Sequence, residues 1–307
     1  MVMEPIQFVD RASGALVEER VFGEIALRRI YGPGPGGVVL RALMSRALVS
    51  WLYGRLQRRA GSRKKIAGFV ESLGIDASEA ERPLGDYDTL DAFFTRRLRP
   101  GARPVDADPT ALCSPADGRA LAFADLDASA PLPIKGQTLS LATLVGEPLP
   151  GARAAVLVVR LAPADYHRFH APCAGMLSAP RRLGGALHSV HPRALAAGAP
   201  SFANRREVSR LHSASFGSLL LVDVGAMLVG EIERSRGPGP VAKGEELGLF
   251  HFGGSTVVLV ADAARVQLDP DLLAHSARGL ETRVHMGEHV ATARAHGPPS
   301  SGEVSRR

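Results

Sequence analysis

From Leu112 onward glycine and proline cut the chain into short β-type apolar runs, and this punctuation constrains the fold more than any single motif. The runs are Arg119 to Ala124, Ala155 to Leu161, Ser218 to Val224, Met227 to Ile232, Thr256 to Ala261 and Arg265 to Leu268. Gly 33 and Pro 22 in 307 residues, with aromatics at 5%, fit a β-rich part with many turns. The first hundred residues read differently, as mainly helical. The expected class is therefore α+β: a helical, membrane-facing N-terminal region over 1–108, a β-rich catalytic domain over 109–294, and a polar, disordered tail over 295–307. The change of texture puts the boundary near Pro104 to Leu112.

Within the helical part, residues 22 to 31 read as a short helix stopped by Gly32-Pro33-Gly34-Pro35-Gly36-Gly37. Between Val38 and Arg59, Leu40, Leu43, Met44, Ala47, Leu48 and Trp51 share one face of a helical period. A basic cluster follows: Arg55, Arg58, Arg59, Arg63, Lys64 and Lys65. An apolar stripe beside such a cluster suits a helix lying among lipid headgroups, and equally a helix packed on its own domain. Ser62 is expected to cap a further helix with Ile66, Phe69, Val70 and Leu73 inward, closed by Gly74. Asp88 or Thr89 is expected to start another, carrying Leu90, Phe93, Phe94 and Leu98 inward and stopping at Pro100-Gly101.

Hydrophobic content of 45% and charged content of 22% describe an ordinary globular chain long enough for a substantial core. Its net charge of +6 favours an anionic partner. Without zinc-finger spacing or an aromatic-basic RNA-binding motif, an acidic membrane surface stands ahead of nucleic acid. Cys113 and Cys173 cannot build a disulfide framework and read as buried free thiols. The N-terminus lacks the layout of a signal peptide, and no run of uncharged apolar residues is long enough to span a bilayer as a helix, so membrane contact is expected to be peripheral.

Three stretches interrupt the apolar rhythm with reactive groups. Gly253-Gly254-Ser255-Thr256 opens the apolar run to Val260. Its plainest reading is a turn before a strand. The same residues also allow chemistry, because two glycines permit a strained peptide with a hydroxyl beside it. Attack of the Ser255 hydroxyl on the Gly254 carbonyl would turn the amide into an ester, and β-elimination would leave a dehydroalanine that hydrolyses to a pyruvoyl group. Ser114-Pro115-Ala116-Asp117-Gly118 sets a carboxylate in a tight turn. Asp165-Tyr166-His167-Arg168-Phe169-His170 sets two imidazoles directly after a strand, where they suit proton transfer near neutral pH.

Carboxylate, base and hydroxyl form a set recognised by role, not by order along the chain. Metal binding is the competing use of His167 with His170, and of His285 with Glu288 and His289, but neither group has a zinc-protease pattern or a nearby cysteine pair. His188, His191, His212, His251, His275 and His296 are assigned structural or surface roles.

Taken in order over roughly residues 5 to 290, these pieces resemble the phosphatidylserine decarboxylases. The resemblance is carried by Tyr53-Gly54, Ser62-Arg63-Lys64-Lys65, Phe93-Phe94-Thr95-Arg96-Arg97, Pro100-Gly101-Ala102-Arg103-Pro104 and Ser114 to Arg119. It continues through Asp165 to His170, Lys243-Gly244-Glu245-Glu246, Phe252 to Thr256, Gly279-Leu280-Glu281-Thr282 and Met286-Gly287-Glu288. It implies autocatalytic cleavage between Gly254 and Ser255, giving a large chain 1–254 and a small chain 255–307. Ser255 becomes the pyruvoyl cofactor, with neither PLP nor metal. Carried over residue by residue, it makes His170 the base of cleavage and Asp117 its orienter, assigns His167 to decarboxylation, and places Ser189 near the substrate.

The implied reaction takes phosphatidylserine to phosphatidylethanolamine and CO2. The pyruvoyl ketone condenses with the serine amine and accepts the electron pair released as CO2 leaves. The expected setting is peripheral, on an anionic membrane surface at the cytoplasmic face of the cell membrane, with no nucleic acid and with a homo-oligomer left open. Two departures from the pattern, Glu231 and Phe202-Ala203-Asn204-Arg205-Arg206, bear on substrate fit. The rival readings are a soluble pyruvoyl-dependent amino-acid decarboxylase and a non-enzymatic membrane-binding module.

Overall fold

The apolar run that starts at Ser255 has no polar alternation, so a strand built from it needs cover on both faces. In the computed structural model, which describes residues 6–20, 54–134, 139–185, 187–226, 232–252 and 255–294, it has that cover.

The strands in chain order are β1 (Gln7–Asp10), β2 (Leu16–Glu18), β3 (Ala111–Cys113), β4 (Gly118–Leu126), β5 (Ala154–Leu161) and β6 (Arg168–His170). They continue with β7 (Gly175–Leu177), β8 (Arg181–Leu183), β9 (Arg206–Ser213), β10 (Gly217–Gly225), β11 (Ile232–Arg234) and β12 (Gly239–Val241). The last are β13 (Glu246–Phe250), β14 (Ser255–Asp262), β15 (Val266–Leu268), β16 (Glu281–Val284) and β17 (His289–Ala293). The helices are α1 (Ile66–Leu73), α2 (Leu90–Phe94), α3 (Leu141–Val145), α4 (Pro192–Ala196) and α5 (Pro270–Ala277).

Among the described residues one sheet of 11 strands runs β12-β7-β9-β10-β14-β5-β4-β16-β1-β2, with β8 also paired to β9. Two three-stranded sheets, β11-β13-β6 and β15-β17-β3, complete the β structure. On β14, Val257, Leu259 and Ala261 face one core with Leu157, Val159, Leu219 and Phe250. Val258 and Val260 face the other, under Leu141, Leu144 and Val145 of α3. At about 1.5–3 kcal/mol for each fully buried aliphatic side chain, this run anchors the sheet. A third cluster packs Ile66, Phe69 and Leu73 of α1 and Leu90, Phe93 and Phe94 of α2 against Phe252, just before the Gly-Gly-Ser stretch.

Five of the six runs expected after Leu112 appear as β4, β5, β10, β14 and β15, and the remaining one, Met227 to Ile232, is described only from Ile232. The N-terminal part departs from the helical expectation at its start. β1 pairs in parallel with β16, Phe8 opposite Glu281, so residues 6–20 belong to the edge of the large sheet. Ser62 does not cap α1; its hydroxyl donates to the Gln57 carbonyl and accepts from the Leu90 N–H, tying two helical segments together. Gly74 closes α1 in the left-handed region, φ 65°, and Thr89 caps α2 by accepting from Ala92 N–H. α2 ends at Phe94, short of the expected Leu98, because Leu98 bridges to Ala80 in extended form.

The helix expected over residues 22 to 31, the whole stripe from Leu40 to Trp51, and the tail from Ala295 lie outside the described residues. Among the described residues no helix is long and apolar enough to cross a membrane. Cys113 and Cys173 are buried and free, as expected.

Candidate active site

Ser255 is the first residue of β14, and it is fully buried between two strands, opposite Leu161 of β5 and Gly225 of β10. Its hydroxyl lies 3.5 Å from Nδ1 of His167. That separation is long for a hydrogen bond and short enough to tighten when the hydroxyl reacts. The other ring nitrogen fixes the tautomer: Nε2–H donates to the Ala162 carbonyl at 3.0 Å, which leaves the Nδ1 lone pair facing Ser255. Asp165 shapes the turn that presents this carbonyl, accepting from Ala162 N–H at 2.7 Å while Arg119 pairs with its carboxylate. A line of contacts thus runs from Arg119 through Asp165 and the Ala162 turn to the imidazole and the serine.

Burial keeps that imidazole neutral. His167 is fully enclosed, and loss of solvent pushes its pKa down to about 3 against the upward pull of Asp165. Phe94 stacks on the ring with centroids 3.9 Å apart and planes 27° from parallel, closing its far face to water. An unprotonated, dry nitrogen aimed at a hydroxyl is a base that needs no prior deprotonation near neutral pH.

The second histidine and the aspartate are placed elsewhere. His170 pairs through Nδ1 with the Gly244 carbonyl at 3.1 Å and through Nε2 with the Tyr166 hydroxyl at 3.3 Å, and burial lowers its pKa as well. The Asp117 carboxylate accepts from Arg103 at 2.7 Å and from Met286 N–H at 2.8 Å. Among the described residues it is His167, not His170, that lies at Ser255, and Asp117 makes no hydrogen bond to His170. The reason is local. β6 begins only at Arg168, so His167 lies in the turn before it, while His170 is held in register with Glu246 of β13.

Ser189 accepts from His191 N–H at 3.2 Å, and its carbonyl accepts from Ser201. Its loop is fastened near the serine by Asn204, which bonds both backbone groups of His188 and donates to the carbonyl of Gly225, the cross-strand partner of Ser255. Asn204 thus has a placing role inside a segment that the sequence marked only as a departure. The segment before the scissile position is held by another residue without a sequence signal. Asp91 accepts from Phe252 N–H and from His251 at 2.9 Å each, and the second nitrogen of His251 pairs with Glu233. Gly253, Gly254 and Glu231 lie outside the described residues. His285 pairs with Glu288 and His289 with Asp269, so these two histidines serve separate ion pairs.

With this geometry in place, comparison with known proteins identifies the family. A family model described as phosphatidylserine decarboxylase matches residues 90–292. The chain is 37% identical over 293 residues to a phosphatidylserine decarboxylase proenzyme of Fusobacterium nucleatum, covering 94% of this chain and 98% of the relative. It is 39% identical over 295 residues to the proenzyme of Chlamydia muridarum, at 94% and 98% coverage. It is 38% identical over 290 residues to that of Desulfitobacterium hafniense, at 93% and 97%.

Proposed function

Because the chain belongs to the phosphatidylserine decarboxylase family, we propose that both its self-processing and its catalysis run through Ser255 and His167. The protein is a carboxy-lyase made as a proenzyme, converting phosphatidylserine to phosphatidylethanolamine and CO2. The observation that carries the assignment to residues is the Ser255 hydroxyl facing the neutral Nδ1 of a buried His167. In processing, Nδ1 takes the hydroxyl proton as Oγ attacks the Gly254 carbonyl, and the proton is then available to the leaving amine.

The residues around Ser255 suit a pyruvoyl group, because the position is dry and a proton carrier touches it. When present, that group supplies the electrophilic ketone that accepts the substrate amine and the electrons released with CO2. His167 again has the place of proton carrier, its Nδ1 free to take the proton that the substrate ammonium must lose and to return it at the former α carbon, while Phe94 keeps bulk water from the ring. His170 and Asp117, bonded to Gly244 and Arg103, support the walls of the site.

The test is an intact-mass measurement followed by native chromatography and an assay on phosphatidylserine vesicles. The expected products are chains 1–254 and 255–307. They should co-elute without denaturant, because β14 lies inside the large sheet between β10 and β5, and β16 lies between β4 and β1. Arg160 adds a buried cross-link, bonding Glu19 of the large chain and Glu281 of the small one. An intact chain that still decarboxylates phosphatidylserine would overturn the pyruvoyl assignment.

The membrane contact is proposed on the cytoplasmic face of the cell membrane, through the basic segment 55–65. Arg55, Arg59, Arg63, Lys64 and Lys65 are exposed there, beside an exposed Leu56. Each such cation near an anionic leaflet contributes about 1 kcal/mol, and salt screens it. Arg59→Gln with Lys64→Gln should weaken binding to phosphatidylserine-containing vesicles by about tenfold or more at low salt. Unchanged binding would move the contact to another face.

A further inference from the structure

A buried acidic cluster lies on the same face of the sheet as Ser255, and neither cleavage nor proton transfer uses it. Asp223 of β10 stands two residues from Gly225, the partner of Ser255, and is itself paired with Glu207 of β9. Side chains two apart on a strand share a face, so Asp223 is a diagonal neighbour of Ser255 at about 7–8 Å. Both carboxylates are buried, Asp223 at 1% exposure and Glu207 at 3%. One partly buried guanidinium serves them both: Arg234 of β11 donates to Glu207 and to Asp223 at 2.7 Å each. The other cation at the cluster, Arg182, reaches Glu207 from solvent with its side chain 81% exposed.

Three polar atoms here have no hydrogen-bond partner among the described residues: Oδ1 of Asp223, Nη1 of Arg234 and Oγ of Ser209. Ser209 is paired with Leu221, which puts it on the same face, next to Asp223. Burying one unpaired polar atom costs about 1–3 kcal/mol, so three at one place indicate a ligand that supplies the partners. The charge points the same way. Glu207 is paired with both Arg234 and Arg182 while Asp223 has only a share of Arg234, so Asp223, with an unsatisfied acceptor, is where the cluster is short of a cation. Burial pushes its carboxyl up to about 6 in spite of Arg234.

We propose that Asp223 Oδ1 and Ser209 Oγ form the subsite that receives the primary ammonium of the phospholipid headgroup, with Arg234 Nη1 donating to an anionic oxygen of the same headgroup. This rests on the reading of the protein as a phosphatidylserine decarboxylase. Glu207 is a positioning residue, since it holds Arg234 and does not meet the ligand. The ammonium held there is one diagonal step from Ser255, where it can lose a proton and meet the electrophile. The phosphoserine headgroup offers the cation and the anion on adjoining atoms, as the cluster requires.

Asp223→Asn tests it, since the amide oxygen can still accept from Arg234 while the charge is lost. On processed protein, KM for phosphatidylserine should rise by about tenfold or more with kcat within about threefold, the pattern of lost ground-state binding. Calorimetric titration with glycerophosphoethanolamine, which carries the ammonium and no carboxylate, should show weakening by the same factor. An unchanged KM together with unchanged titration overturns the proposal. A fall in kcat with KM unchanged does so too. Should Asp223→Asn fail to fold or process, Ser209→Ala decides, because that hydroxyl has no bond to lose in the free protein. Its melting temperature should hold while KM rises about threefold, and an unchanged KM counts against the subsite. Wild-type protein that bound glycerophosphoethanolamine through Asp223 yet released no CO2 from phosphatidylserine would keep the ammonium subsite and overturn the assigned reaction instead.

Discussion

Ser255→Ala is expected to remain a single chain of 307 residues and to release no CO2 from phosphatidylserine. The substitution removes the atom that would attack Gly254 and, with it, the precursor of the ketone, so processing and catalysis fall together. Its folding should be little affected. Ser255 is buried at a strand start, and its hydroxyl makes one long contact, to Nδ1 of His167. Loss of a single weak hydrogen bond costs about 1 kcal/mol, small beside the burial of Val257 to Ala261 on two faces. Denaturing electrophoresis gives the answer directly. A cleaved Ser255→Ala chain would mean that the attack comes from elsewhere, and an uncleaved but active one would mean that the electrophile is not made from this residue.

Much of the sheet was legible because its central strands are apolar on both faces; β5, β10 and β14 need no partner to be recognised. β9 was not, since Arg206, Glu207, Ser209 and Arg210 break the pattern. Its polar groups are buried by bonds invisible in one dimension: Arg206 donates to the carbonyls of Leu144 and Thr143, and Glu207 meets Arg234. β1 failed for another reason. Four residues that pair with Glu281 to Arg283 carry their signal at the far end of the chain. At the site, residue types were readable and distances were not. The stretch from Asp165 to His170 announced two histidines, but which of them meets Ser255 depends on where β6 begins and on Phe94 arriving from α2. Asp91 and Asn204, which hold the backbone near Ser255, act through hydrogen bonds to main-chain atoms and leave no motif.

His167→Ala should separate the two stages. The Ser255 hydroxyl loses the nitrogen at 3.5 Å, so cleavage should slow by about tenfold to a hundredfold, at or below the bottom of the roughly 10^2 to 10^4 range for a positioned base, because a proton can still pass through water admitted by the missing ring. The processed fraction should then decarboxylate about 10^3-fold more slowly, since no other group among the described residues is placed to carry a proton at Ser255. The pH dependence follows from the same burial. With the His167 pKa pushed down to about 3, Nδ1 is already unprotonated from pH 5 to 8, and the wild-type cleavage rate should be flat across that window instead of falling near 6.5.

The stability linkage has a definite sign. A histidine whose folded pKa lies below its unfolded value of about 6.5 contributes stability that is present above that value and lost as pH falls toward 3, so the proenzyme should become acid-labile below about pH 6 while cleavage of the folded fraction persists. A His167→Ala chain that cleaves at the wild-type rate would move the base to His170 and leave the contact at Ser255 without a role in processing.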